Sequence, residues 1–167
     1  VPPGGVGEIW SRSPSFASGY YRDPETTRQA WGDGWYKLGD LGKLDENGNL
    51  MVVGRKKDII IRGGQNIYPI EIETLLSTHP SVADVAVVAM PDTIMGEKVC
   101  AFVVTKSGRE LTFYEMVQFL KDQNVAAFKL PERLEIIDQM PMAGEQKIDK
   151  KLLRQRISDT IKAEGKI

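Results

Sequence analysis

Cysteine, histidine and long apolar segments are scarce in this sequence, and each scarcity excludes a class of protein. The 167 residues include one cysteine, Cys100, and one histidine, His79. A single cysteine excludes an internal disulfide and is typical of a reducing compartment, so we predict a cytoplasmic protein. No apolar run approaches the roughly 18 residues that a membrane-spanning helix needs, and no signal peptide opens the chain.

Positive charge is not in excess either. The chain has 22 lysines and arginines against 23 aspartates and glutamates, which gives a net charge of −1. A protein that binds nucleic acid broadly needs a basic surface, so we predict no nucleic-acid partner.

The sequence opens with Val-Pro-Pro-Gly-Gly and no initiator methionine, which indicates the tail of a longer protein.

Several familiar catalytic groupings are also missing. The sequence has no Ser-His-Asp arrangement to build on and no GxxxxGK[ST] phosphate loop. His79 lacks cysteine or carboxylate neighbours at metal-ligand spacing, so we predict a surface residue and no metal site. Cys100 lies between Val99 and Ala101 in an apolar run, which favours a buried structural thiol.

The first third of the chain is predicted to be β-rich. Residues 1–56 are rich in glycine and aromatic residues and contain several short strand-like runs. Asn47-Gly48 lies between two of these runs and predicts a hairpin with a type I′ turn, which needs positive φ at both central residues. Pro24 is expected to begin a short helical turn.

The remaining residues, 57–167, alternate between strand and helix patterns. Pro69 fits the first position of a helix, Thr112 and Glu115 form a capping-box pattern, and Asp149 is placed to cap the last helix. The fold class predicted here is α+β, with a small three-stranded sheet packed by helices plus a β-hairpin. The predicted strands are Val82–Met90, Val99–Thr105 and Leu134–Ile137.

Four positions have a chemical interpretation beside an ordinary one. Asp40, at the end of a predicted strand, can accept hydrogen bonds from two vicinal hydroxyls such as those of a ribose, or it is a turn residue. Arg55 can fork onto a ribose or phosphate, or it is a solvated charge. Gly63-Gly64 is either a simple turn or a bare backbone past which a thin ligand can run. Lys147, in a predicted loop, either faces solvent or brings a point charge to a phosphate.

One stretch, Gly54–Pro69, combines features of a moving segment. A cationic turn leads into a short apolar β-run, then two glycines, then the proline that opens a helix. Fixed positive charge beside a flexible backbone suits a segment that swings around a phosphate-bearing ligand. The composition of the chain changes at this stretch, so we predict a hinge here.

Six segments of the chain follow, in order, the motifs of one enzyme superfamily. They resemble the C-terminal part of the adenylate-forming enzymes, a group that includes acyl-CoA synthetases, adenylation domains of peptide synthetases and beetle luciferases. The resemblance covers essentially the whole chain. The segments are Gly7–Ile9 with Gly19–Thr27, Trp35–Gly42, Gly54–Glu73, Gly96–Val104, Leu130–Pro131 and Pro141–Lys147.

The resemblance implies a role for each candidate residue. Asp40 is expected to hold the ribose hydroxyls of ATP, with Arg55 beside it. Lys57 occupies the hinge position, and Lys147 is the catalytic lysine that reaches the α-phosphate and the acyl carboxylate. Gly63-Gly64 is expected to line the tunnel for the pantetheine chain of CoA.

The resemblance also implies a function and a domain plan. The predicted function is an ATP-dependent carboxylic acid–CoA ligase that makes acyl-AMP and then acyl-CoA by alternating two domain positions. Residues 1–56 would end the large N-terminal AMP-binding domain, and residues 57–167 would form its C-terminal lid. Mg²⁺ would be held mainly by the nucleotide and the upstream domain, so the chain is not expected to be active alone.

Two alternatives remain open at this stage. The chain is a stand-alone module that binds CoA, a carrier protein or a partner subunit, or it is a fragment of a peptide-synthetase adenylation domain. The Gly-Gly-Gln-Asn-Ile-Tyr-Pro string is more typical of acyl- and aryl-CoA synthetases, so the ligase is favoured. The chain departs from the family pattern at Leu38, Ala143 and Gln146. Neither the acid nor the oligomeric state can be deduced from the sequence.

Overall fold

The computed structural model describes residues 1–2, 4–144 and 147–167, and these residues form two compact units. The first unit is Val1–Lys57 and the second is Asp58–Ile167. Assigning the first unit to the end of a larger domain and the second to a lid stays a prediction.

The first unit is an antiparallel sheet built around one long strand, β3. This strand pairs with β1, β2 and β4, each in antiparallel register. Pro24 begins a short helix, as predicted, and Asp23 caps it by accepting the Thr26 amide at 2.9 Å. The elements are β1 (Val6–Ser11), α1 (Pro24–Ala30), β2 (Trp31–Gly32), β3 (Trp35–Leu44) and β4 (Leu50–Arg55).

The hairpin predicted at Asn47-Gly48 exists, but its turn type was predicted wrongly. Gly48 has a φ of 82°, whereas Asn47 is not among the residues with positive φ, so the turn is not type I′. Asp45 organises a longer loop instead, because its Oδ1 accepts the amides of Asn47 and Asn49 at 2.9 and 2.8 Å. A side chain that substitutes for backbone partners in this way removes the need for a second left-handed residue.

The second unit has the predicted α+β composition. One short 3₁₀ turn, Lys56–Asp58, spans the boundary between the two units, and a second, Ala127–Lys129, precedes the last strand. The elements are β5 (Ile60–Arg62), β6 (Gln65–Ile67), α2 (Pro69–Leu76), β7 (Val82–Asp92), β8 (Gly96–Thr105), α3 (Phe113–Asp122), β9 (Arg133–Ile136) and α4 (Lys150–Ala163).

The helix starts of this unit are those that the sequence predicts. Pro69 is the first residue of α2. Thr112 and Glu115 form a complete capping box at α3, each accepting a hydrogen bond from the other's backbone amide. Asp149 caps α4 by accepting the Leu152 amide at 3.0 Å. These local contacts satisfy donors that a helix start leaves without intrahelical partners.

Strand β8 is the centre of the second sheet. It pairs with β7 in antiparallel register along one edge, with β5 at its start, and with β9 in parallel register further along. The β5–β6 hairpin therefore joins the three predicted strands, and the described sheet has five strands. This arrangement confirms the predicted three strands plus hairpin.

Residues of β8 alternate between two hydrophobic cores. Val99, Ala101 and Val103 belong to the core that α2 and α3 cover. Cys100 and Phe102 belong to the opposite core, which α4 covers through Leu153, Ile157 and Ile161. A strand with apolar residues on both faces is buried on both sides, so the second unit has helices on both faces of its sheet.

The outer edge of β7 is covered by a side chain. Glu73 of α2 accepts the backbone amide of Val87 at 2.6 Å, and the Lys150 ammonium lies 2.6 Å from the same Glu73 oxygen. Helices α2 and α4 therefore meet at this edge through one carboxylate.

Within the described ranges, no helix has the length and apolar character to cross a bilayer.

Candidate functional site

Asp40 and Arg55 lie opposite each other in the first sheet. They are a register pair between β3 and β4, and the Arg55 Nε donates to Asp40 Oδ1 at 2.9 Å. The side chains are 26% and 42% exposed respectively, so both remain accessible to a ligand. The sequence located the two residues separately; the structure brings them together as an ion pair.

A cleft of about 350 Å³ lies next to this pair within the first unit. Its lining includes Arg55, Lys56 and Lys57, together with Leu38 and Gly39. Lys56 is held by Glu8 of β1 at 3.0 Å, and the hydrogen bond from Lys56 lowers the pKa of the Glu8 carboxyl. Arg55 and Lys56 are each paired with a carboxylate, so the three cations leave a smaller net positive charge at the cleft, which still favours an anionic ligand such as a phosphate.

On the two sides of the predicted hinge, the chain is bound to different units. Lys56 is bound to Glu8 within the first unit. Asp58 is bound to Arg154 of α4 within the second unit, with Nη1 and Oδ1 3.0 Å apart and both side chains partly buried. Lys57 lies between these anchors, in the 3₁₀ turn Lys56–Asp58. This geometry is compatible with the hinge role, which stays a prediction.

Gly63-Gly64 forms the two-residue turn of the β5–β6 hairpin. The φ angles are 54° and 82°, and Arg62 pairs with Gln65 across the turn. Positive φ at both positions is the signature of a type I′ turn, which glycine adopts without strain. A Cβ on Gly63 would lie 2.7 Å from Met95 Cε, whereas a Cβ on Gly64 would meet no atom within 4 Å. The turn alone therefore explains both glycines, and it leaves the Gly64 side open.

Lys147 lies in a short loop that folds back on itself. The Asp149 amide donates to the Pro141 carbonyl at 2.7 Å, and the Ala143 amide donates to the Lys147 carbonyl at 2.6 Å. These bonds fix the Lys147 backbone while its side chain is exposed. The predicted departure at Gln146, like its neighbour Glu145, lies outside the described residues.

The glycine turn and the lysine loop leave the second sheet at opposite ends of β8. Arg62, beside the turn, pairs with Gly96 at the start of β8. The chain that leads to the Lys147 loop leaves the sheet at Ile137, whose amide donates to Val103. Val103 is seven positions after Gly96 in β8, a distance of about 23 Å along a strand.

The remaining chemical candidates are structural. Cys100 is fully buried, and burial raises the pKa of its thiol to about 12, so it is not a nucleophile. His79, predicted at the surface, is half-buried; it packs edge-on against Phe119 and accepts the Ser81 amide through Nδ1. The described residues contain no group of three or more metal-ligating side chains.

Sequence reasoning missed the residues that support the candidate site. Glu8 lies 48 positions from its partner Lys56, and Arg154 lies 96 positions from Asp58. No local pattern indicates such pairs.

A local signal did exist for Asp92, which follows Pro91. Its side chain accepts the amides of Ile94 and Met95 and so forms a turn that aspartate favours.

Comparison with known proteins finds CoA ligases among the relatives of this chain. Residues 71–147 match the AMP-binding enzyme C-terminal domain. The medium-chain fatty-acid–CoA ligase of Escherichia coli (strain K12) is 45% identical over 94% of this chain and 28% of the ligase. Indoleacetate–CoA ligase of Aromatoleum aromaticum is 41% identical, with 95% of this chain and 31% of the relative covered. The chain thus spans about 30% of the length of these relatives.

Solved structures also match nearly the whole chain. ATP-bound MatB from Rhodopseudomonas palustris matches with a TM-score of 0.87 and 36% identity, covering 96% of this chain and 32% of that chain. The amide bond synthetase McbA from Marinactinospora thermotolerans matches with a TM-score of 0.85 and 39% identity, covering 93% and 32%. Together with the match over residues 71–147, these findings show that the chain contains the AMP-binding enzyme C-terminal domain and that it is similar, over more than nine tenths of its length, to about 30% of each of these adenylate-forming enzymes.

Proposed function

We propose that the chain is the C-terminal part of an ATP-dependent carboxylic acid–CoA ligase. In the first step a carboxylate oxygen attacks the α-phosphorus of ATP, the bond to the β-phosphate breaks, and pyrophosphate leaves. In the second step the CoA thiol loses its proton and attacks the acyl carbon, and AMP leaves with the acyl–oxygen electron pair. The CoA ligases among the relatives support this reaction class, and the medium-chain ligase makes fatty acids one candidate class of substrate.

The observation that carries the proposal is the separation of two chemically different features within the second unit. An exposed ammonium, Lys147, follows one end of β8, and an open glycine turn, Gly63-Gly64, lies at the other end. The two steps need different groups at the same acyl carbon. A unit that rotates about Lys57 can present first one end and then the other.

Each end suits its step. Attack of a carboxylate on a phosphate brings two anions together, so a fixed ammonium at the reacting oxygens lowers the barrier, and we assign this role to Lys147. The open backbone at Gly64 leaves room for the thin pantetheine chain. In the first unit, the Asp40 carboxylate accepts hydrogen bonds from the ribose hydroxyls of ATP, and Arg55 holds that carboxylate in place.

Two further parts of the proposal concern Mg²⁺ and compartment. The described residues provide no cluster of carboxylates for Mg²⁺, so we assign no metal ligand to this chain and leave the ion to the nucleotide and the preceding domain. The single buried thiol, Cys100, is compatible with a reducing compartment such as the cytoplasm.

The test is Lys147→Ala in the full-length enzyme. Removal of the ammonium is expected to slow acyl-AMP formation by about a hundredfold or more, since loss of one such electrostatic contact typically costs that much. Thioester formation from supplied acyl-AMP should stay near the wild-type rate. The two steps are measured separately, by pyrophosphate release and by thioester production. Lys151→Ala, an exposed lysine on α4, is the matched control.

Equal losses in both steps would contradict the role of Lys147. A full-length protein that releases no pyrophosphate with ATP and any of a panel of carboxylates would contradict the ligase itself. That outcome would favour the alternative of a non-catalytic binding module.

A further inference from the structure

The glycine turn is attached to the sheet by few backbone contacts. Strand β5 has a single register pair with β8, Arg62 with Gly96. A hairpin with so little pairing is mobile unless other contacts hold it. The position of Gly63-Gly64 therefore depends on contacts outside the ladder.

Two such contacts come from one short segment, Asp92–Glu97. Glu97 Oε2 accepts the backbone amide of Ile61 at 2.7 Å, two residues before the turn. The Met95 carbonyl accepts the amide of Gly63 at 2.9 Å, within the turn itself. The segment thus binds both strand β5 and the turn of the same hairpin.

Asp92 holds the Met95 carbonyl in the position that the turn needs. Its Oδ1 accepts the amides of Ile94 and Met95 at 3.0 and 2.8 Å, and its Oδ2 lies 2.6 Å from the Lys98 ammonium. One carboxylate therefore orders the whole connection between β7 and β8. Lys98 in turn fixes that carboxylate, so the chain of contacts runs from β8 to the glycine turn.

We propose that Asp92 and Glu97 are positioning residues for thioester formation, because they fix the Gly63-Gly64 turn against which the thiol chain of the second co-substrate lies. This inference rests on the proposed function of the glycine turn. Neither residue touches the reacting atoms in this scheme. Their effect passes through backbone amides, and it belongs to the second step alone.

Conservative variants separate positioning from simple structural support. Glu97→Gln keeps an oxygen that can accept the Ile61 amide, and Asp92→Asn keeps the side-chain turn, for which asparagine is well suited. Glu97→Ala and Asp92→Ala remove the acceptors. Because the two alanine variants break different bonds, loss of folding in one leaves the other informative. Glu110→Ala, an exposed carboxylate outside the segment, is the control.

The first measurement is amide hydrogen exchange on the 167-residue chain. Exchange at Ile61 is expected to rise about tenfold in Glu97→Ala, and exchange at Gly63 to rise similarly in Asp92→Ala, the scale of one lost hydrogen bond. Glu97→Gln, Asp92→Asn and Glu110→Ala should exchange as the wild type does. Unchanged exchange at Ile61 and Gly63 in both alanine variants would overturn the inference.

The second measurement is kinetic and uses the full-length enzyme. Thioester formation from supplied acyl-AMP should fall by up to about a hundredfold in the alanine variants, the cost of a small misplacement of a binding element, with acyl-AMP formation unchanged. The conservative variants should recover the rate. Equal slowing of both steps would overturn the inference. Faster exchange with undiminished thioester formation would instead overturn the proposed use of the glycine turn, so the two failures are distinguishable.

Discussion

At the scale of single residues, the candidate site is made of side chains that hold one another. Arg55 is bound to Asp40, and Lys56 is bound to Glu8. Partly exposed pairs of this kind contribute little to stability. Their effect is to restrict the positions of the charged side chains. Ligand binding then costs less side-chain entropy, because these side chains are already ordered. An anion at the cleft therefore meets charges that already have fixed positions.

Gly64 allows a test of backbone geometry without a change in packing. A Cβ here would meet no atom within 4 Å, so the loss of stability in an alanine variant comes from the φ of 82°. Gly64→Ala should destabilise the second unit by about 1 kcal/mol, whereas Gly64→Asn should be nearly neutral, because asparagine tolerates the left-handed region. Urea unfolding of the 167-residue chain measures both. Equal destabilisation by alanine and asparagine would contradict this account of the turn.

At the scale of elements, α4 is tied to the rest of the second unit at both ends. Near its start, Lys150 and Arg154 bind Glu73 and Asp58. At its end, Glu164 accepts two hydrogen bonds from Arg133 of β9, at 2.9 and 2.7 Å. The helix thus connects the residue that follows the predicted hinge to the parallel strand β9.

The acid stability of the second unit should depend on the tie at Glu164. Hydrogen bonds from Arg133, with a smaller effect of Lys166, lower the pKa of the Glu164 carboxyl from 4.5 to about 2. A carboxyl whose pKa falls on folding stabilises the fold above its unfolded pKa, and this contribution disappears as the pH falls toward the folded pKa. We therefore expect stability to decline between about pH 5 and 2, and less steeply in Glu164→Gln.

Urea unfolding midpoints over this pH range test the prediction. The exposed Asp159 on α4 provides the control, Asp159→Asn. Added salt should reduce the difference between wild type and Glu164→Gln, since the carboxylate is solvent-accessible and its charge interactions are screened. Identical pH profiles for wild type and Glu164→Gln would show that the ion pair has no thermodynamic effect.

How much the sequence predicted depends on the distance over which a contact acts. Pro69, the Thr112–Glu115 box and Asp149 were predicted correctly because each helix start is determined within four residues. Strand β6, Gln65–Ile67, has no apolar alternation and was not identified as a strand; its pairing with β5 across the glycine turn makes it one. The Asp58–Arg154 pair, 96 positions apart, exists only after the fold brings its two residues together.

At the scale of the whole molecule, the two units differ in their hydrophobic cores. Among the described residues of Val1–Lys57, Leu41 is the one buried hydrophobic side chain, while large residues such as Trp10, Tyr21 and Trp35 are exposed. The second unit has a core on each face of its sheet. Most stability in a small domain comes from burial of apolar area, so the two units should differ widely in stability.

Amide hydrogen exchange along the chain tests this difference. Exchange should be fast across residues 1–57, because a sheet without a core opens by local unfolding at low cost. Protection should begin with β5 and be strongest in β8, whose residues 99–103 are fully buried. Mass spectrometry of peptides from the exchanged 167-residue chain resolves the two regions. Uniform protection from end to end would contradict the prediction.

The contact between Glu73 and the Val87 amide has a consequence for how this molecule behaves among other copies of itself. A strand at the border of a sheet has outward amides that can pair with a strand from a neighbouring chain, which is how many β-proteins begin to aggregate. At Val87 that amide is already taken, and the accepting carboxylate is itself bound to Lys150. An incoming strand would have to break both bonds and bring its own backbone next to a pair of charges. The edge strand β7 is therefore protected at its midpoint from pairing with a strand of another chain.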